Sequence, residues 1–97
     1  MEESNSGVWR IADQYVLYEL DVDKGLFWLF NIEEGTCFKL NEVSYFILSC
    51  FDGKRTLSTI QDQILLRYSN EKKEVVLNDF KELFNTLKEK RVINSVF

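Results

Sequence analysis

Histidine is missing from this chain. The commonest general base and the commonest neutral metal ligand are missing with it. Serine–histidine and cysteine–histidine nucleophile systems are therefore excluded. Glycine is scarce, and Gly7, Gly25, Gly35 and Gly53 are too scattered to form a phosphate-cradling loop. Glu33 and Glu34 are adjacent carboxylates, but they fall in a predicted turn, where solvation explains them better than acid–base work. These absences argue against an enzyme, and no cofactor or metal is expected.

Cysteine is almost as rare. Cys37 and Cys50 lie thirteen positions apart, one on a predicted strand and one on a predicted helix. That spacing makes a poor disulfide framework and no zinc signature. Two reduced thiols in a cytoplasmic protein are the expectation. Long apolar runs are also absent, since Leu26–Phe30 is far too short to span a bilayer. Residues 1–7, MEESNSG, are acidic and polar, unlike a signal peptide. No membrane partner is expected.

What remains is enough for one domain. The chain has 97 residues, 45% of them hydrophobic and 14% aromatic, which supports a modest core. Its net charge of −4 argues against a dedicated nucleic-acid binder. The charge is uneven: residues 1–53 hold ten acids and three bases, whereas residues 54–97 hold nine bases and six acids. An anionic partner should meet the C-terminal half.

The spacing predicts three strands and then three helices. Val8–Ala12 is ambiguous, with Trp9 and Ile11 able to add an edge strand or a clip. Tyr15–Val22 alternates, with Val16, Tyr18, Leu20 and Val22 on one face. Asp23-Lys24-Gly25 supplies a turn. Leu26–Ile32 is aromatic and branched, and reads as a strand buried on much of both faces, with Trp28 in the core. Glu33-Glu34-Gly35 turns the chain into a third strand, Thr36–Leu40, whose edge could remain open.

Asn41 is a good helix N-cap. Val43, Phe46, Ile47 and Cys50 follow at helical spacing, and Asp52-Gly53 is expected to end that helix. Thr56 caps a second helix with the stripe Leu57, Ile60, Ile64 and Tyr68; Ser58 and Gln61 offer an alternative capping box. A polar loop, Ser69–Lys73, precedes a third helix over Glu74–Lys90, and Val92-Ile93 closes the domain. On the third helix Val76, Phe80, Leu83 and Leu87 form a core stripe. Leu77, Lys81, Phe84 and Lys88 form the adjacent one. That second stripe reads either as a wider core face or as a groove wall with an apolar floor and a cationic rim.

The segments LFWLFNIEEG, FKLN, FILSCFDGKRT and DFKELFNTLKEKRVI carry a resemblance over roughly residues 14–93. They resemble the PqqD family, also called the RiPP recognition element, a small α+β winged helix-turn-helix. The resemblance implies a three-stranded antiparallel sheet followed by three helices. Residues 1–13 would then be a tail or clip, 14–93 the peptide-binding domain and 94–97 a C-terminal tail. Arg91 departs from the pattern, standing where such chains often place glycine after the last helix.

The resemblance also implies a function. Members bind the leader segment of a ribosomally made precursor peptide as an added strand and present it to a modifying enzyme. Here Thr36, Cys37, Phe38 and Lys39 would offer the edge, and Leu77, Lys81, Phe84 and Lys88 the groove. The lysines would suit acidic leader residues and the apolar pair its hydrophobic anchors. The enzyme would be a radical SAM enzyme or a leader peptidase, working in trans. Each residue also has an ordinary reading: Phe38 and Leu40 as core, Cys37 as a small apolar filler, Lys39 as a solvated edge charge. Two other functions remain open. One is a DNA-binding regulator, disfavoured by Asp79, Glu82 and Glu89 among the bases of the third helix. The other is a dimerising module, since an open edge also suits self-pairing into a homodimer.

Overall fold

A computed structural model describes residues 7–21 and 23–96. In chain order the elements are β1 (Val8–Ile11), β2 (Tyr15–Asp21), β3 (Leu26–Asn31), β4 (Thr36–Leu40), α1 (Glu42–Ser49), β5 (Asp52–Thr56), α2 (Leu57–Arg67), α3 (Lys73–Glu89) and β6 (Ile93–Ser95). The architecture is α+β, with three helices and the expected antiparallel meander β2-β3-β4. A second three-stranded sheet, β5-β1-β6, accompanies it.

Local chemistry sets the meander. The Asp21 carboxylate accepts the Lys24 backbone N–H at 3.2 Å, and Gly25 takes a φ of +65°, which suits a residue without a Cβ. In the next turn the Asn31 side-chain oxygen accepts the N–H groups of Glu33 and Glu34 at 3.1 and 3.2 Å. This Asx turn explains why Asn31 is the one buried polar residue among the described core positions. Register then places Phe38 opposite Leu29 and Leu40 opposite Phe27.

The two apolar faces of the meander have different fates. Leu17, Leu29 and Phe27 turn inward towards the core, beside α1. Val16, Tyr18, Leu20 and Phe30 turn outward and stay exposed. The expected stripe on β2 is therefore the solvent face, and Val22 lies outside the described residues. Trp28 is half-buried on that outer face, between Tyr18 and Lys39, not in the core.

Both expected caps form. Asn41 accepts the Ser44 N–H at 2.7 Å, and Thr56 accepts the Thr59 N–H at 3.2 Å. The stripe of α2 is as expected, with Leu57, Ile60 and Ile64 buried. The end of α1 is not. Cys50 closes the helix in an ordinary right-handed conformation, and Asp52-Gly53 begins β5. The register against β1 shifts between Val8 and Arg10, and Gly53 sits there at φ +78°. Its glycine conformation serves a bulge, not a helix cap.

The ambiguous N-terminal segment is the central strand of the second sheet. β1 pairs with β5 on one side and β6 on the other. Trp9 packs on the core from this strand. One continuous cluster joins Leu29 of the meander to Ile47, Leu48, Phe51, Ile60, Phe80, Phe84, Leu87 and Ile93.

The last helix ends at the non-glycine position noted above. Arg91 adopts φ +58°. Its N–H bonds the Lys88 carbonyl at 3.0 Å, and the Val92 N–H bonds the Leu87 carbonyl at 2.9 Å. This pair is a Schellman closure, with buried Val92 and Leu87 at its apolar contact positions. An arginine here bears the Cβ penalty that glycine avoids.

Candidate functional site

β4 is an edge strand among the described residues, because β3 flanks it on one side and no described strand flanks it on the other. In an antiparallel ladder, alternate residues direct their N–H and C=O groups away from the partner strand. The outer side of Thr36–Leu40 therefore presents unpaired backbone groups in a row. All four candidate residues on it, Thr36, Cys37, Phe38 and Lys39, are exposed. Cys37 and Lys39 lie on the outer face, opposite Phe30 and Trp28. Phe38 lies on the inner face, yet half of it reaches solvent. A large apolar side chain beside an open backbone edge is suited to an extended peptide.

The candidate residues on α3 divide. Lys81 is exposed and Leu77 is half-buried. Phe84 is 5% exposed and belongs to the core. Its ring meets Trp9 edge-on, with centroids 5.2 Å apart, and stacks with Phe51 and Phe80. Lys88 lies above this cluster, its Nζ 4.8 Å from the Phe84 centroid and 6.0 Å from that of Trp9. Phe84 therefore lies beneath Trp9 and Lys88, not on an open groove floor.

The two candidate sets lie on elements with different main packing partners. β4 packs mainly against β3 and α1, whereas α3 packs against α2 and β6. Two clefts lie elsewhere. One, of about 200 Å³, is lined by Glu19, Phe27, Glu42, Tyr45, Phe46, Ser49 and Arg67. Within it the Arg67 guanidinium lies 4.3 Å from the Phe46 ring centre and 3.2 Å from the Glu42 carboxylate. The second, of about 380 Å³, shares Phe46 and Arg67 and adds Arg55, Gln63 and Leu66.

The two thiols differ in setting. Cys37 is exposed and Cys50 is buried. Burial pushes the Cys50 thiol up, and nearby Arg55 only partly offsets this. At Asp52, burial pushes the carboxyl up, but the backbone N–H groups of Arg55 and Lys54 and the Arg55 charge outweigh it, leaving a net lowering. Among the described residues, no His, Cys, Asp or Glu group is arranged to hold a metal. No described helix is long and apolar enough to cross a membrane.

The outer face of the meander is not marked as a site by the sequence. Tyr18 and Phe30 meet edge to face there, with centroids 6.0 Å apart. The signal was available in the alternation of both strands. It did not show which apolar face the helices cover.

The geometry has parallels among known proteins. A solved structure titled TbiB1 in complex with the TbiA(beta) leader peptide superposes with a TM-score of 0.71 at 25% identity, covering 88% of this chain and 94% of that one. No match was found among curated protein sequences. The profile described as coenzyme PQQ synthesis protein D matches residues 27–93, a span that takes in the meander from β3 onward, the exposed edge of β4 and all three helices. On that match, the chain belongs to the PqqD family.

Proposed function

We propose that this chain is a non-catalytic binding domain that captures the leader segment of a ribosomally synthesised precursor peptide. The leader adds as a strand along Thr36–Lys39 and reaches towards Leu77, Lys81 and Lys88 on α3. Main-chain bonds supply affinity that is largely blind to sequence, and side-chain pockets supply choice. The carrying observation is the free edge of β4 with exposed Phe38 beside it, in a fold shared with a leader-bound protein. The lysines of α3 favour a leader with Asp or Glu near its apolar anchors.

In this reading the fold is a winged helix-turn-helix, with α2 and α3 as the helix pair. Residues 14–93 form the peptide-binding domain, and β1 braces α3 through Trp9. The domain works in the cytoplasm without a cofactor and hands the leader to a radical SAM enzyme or a leader peptidase. A homodimer is compatible with the same edge. A DNA-reading role is less favoured, because exposed Asp79, Glu82 and Glu89 stand among the bases of α3.

The test is fluorescence anisotropy of labelled peptides encoded beside the gene, with duplex DNA as the comparison. Saturable binding of one peptide and none of DNA supports the reading. Salt-sensitive DNA binding without peptide binding would reverse it.

A further inference from the structure

Presentation requires a second surface, since the edge that holds a peptide cannot also hold the protein receiving it. The outer face of the β2-β3-β4 sheet has the properties of such a surface. Val16, Tyr18, Leu20, Phe30 and Ile32 are 43%, 49%, 57%, 37% and 64% exposed. Register places Val16 beside Phe30 and Tyr18 beside Trp28. Ile32 extends the same side of the sheet, since its N–H bonds the Gln14 carbonyl at 2.8 Å. This clustering is not the scattered exposure usual for single surface residues.

A contiguous apolar area of several hundred Å² on a small protein marks an interaction site. Specific interfaces bury about 800 Å² per partner. The patch supplies the apolar centre of such an interface, and polar side chains around it supply the rim.

The rim indicates the occupant. Asp21 and Asp23 stand at one hairpin end and Glu33 and Glu34 at the other, against Lys24 and Lys39. A second copy would bring the same acidic ends to this face, and like charges across an interface oppose association. A partner with an apolar patch ringed by Lys and Arg would complement it.

We propose that the outer face of the meander docks a protein with an apolar surface ringed by basic residues, and that this protein is the enzyme acting on the captured peptide. The existence of the docking face stands on the patch and its rim. The enzyme's role rests on the leader-binding reading. The backbone edge of β4 lies in the plane of the sheet and the docking face is normal to it, so peptide and enzyme bind together, with Cys37 and Lys39 at the boundary between them.

The test uses the full chain and two exposed-site variants, Tyr18→Lys and Ile32→Lys, each checked for the native amide spectrum. Each protein is titrated with the purified modifying enzyme encoded beside the gene and, separately, with the labelled leader peptide. The expected result is at least an about tenfold loss of enzyme affinity in both variants, with leader affinity unchanged. Wild-type enzyme affinity should also fall as salt is raised. Variants that bind the enzyme as the wild type does, or a wild type that does not bind it, would overturn the proposal. So would a dimer of the chain alone that Tyr18→Lys splits, because the face would then belong to a second copy. Enzyme binding through this face without any leader binding would instead overturn the leader-binding reading and leave the docking face standing.

Discussion

The ammonium of Lys88 lies 4.8 Å from the centre of the Phe84 ring, above a side chain that is almost wholly buried. The pair separates two roles that share one helical stripe. Phe84 holds α3 to β1 and the core, while Lys88 covers it. Phe84→Ala should therefore cost about 3–5 kcal/mol, a large part of a small domain's stability. Phe84→Asp should unfold the domain. Lys88→Glu should cost less than about 1 kcal/mol of stability and weaken only leaders that carry acidic residues. Urea unfolding, with peptide titration of the folded variants, checks both. A folded Phe84→Asp with selective loss of leader affinity would show that the ring faces a groove after all.

The closure of α3 gives an independent prediction. Arg91 holds a left-handed conformation within a fully formed Schellman closure. Arg91→Gly should stabilise the domain by about 0.5–1 kcal/mol, seen as a higher urea midpoint with an unchanged slope. A lower midpoint would mean that the arginine side chain contributes more than its backbone strain costs.

The sequence made some of this legible and concealed the rest for physical reasons. Asn41 and Thr56 announce their helices because a capping side chain satisfies an orphan N–H within its own neighbourhood. The meander is equally local, set by Asn31, Gly25 and Gly35 in its turns. The second sheet is not local. β5 reads DGKRT, which has no apolar alternation, and β6 has only three residues. Both are strands because β1 lies between them. Once β1 is in place, Trp9 covers the second stripe of α3, so Phe84 becomes core. Neither helical spacing nor alternation carries that information.

The thiols should report these environments directly. Cys37 should be alkylated by iodoacetamide in the native protein, while Cys50 should react only after unfolding, since burial disfavours its thiolate. Mass spectrometry of the labelled peptides distinguishes them. If the leader occupies β4, saturating leader should slow alkylation of Cys37.

Asp52 links stability to pH. Its carboxyl lies below its ordinary value of 3.8 in the folded chain. The charged form is therefore favoured by folding. That contribution is complete above the unfolded value and is lost as pH falls through the lower folded value. Asp52→Asn should be less stable than the wild type at neutral pH, and the difference should begin to narrow below about pH 4 and close only below the folded value. Thermal unfolding at both pH values checks the sign, and a difference that grows on acidification would contradict it.

The central claim is capture of a leader on the edge of β4. Amide NMR of the labelled chain during titration with the peptides encoded beside its gene tests it most directly. The account predicts saturable shifts concentrated in Thr36–Lys39, with weaker ones at Leu77, Lys81 and Lys88. Saturable shifts elsewhere that leave β4 unmoved, or no shifts with any of those peptides, would contradict it.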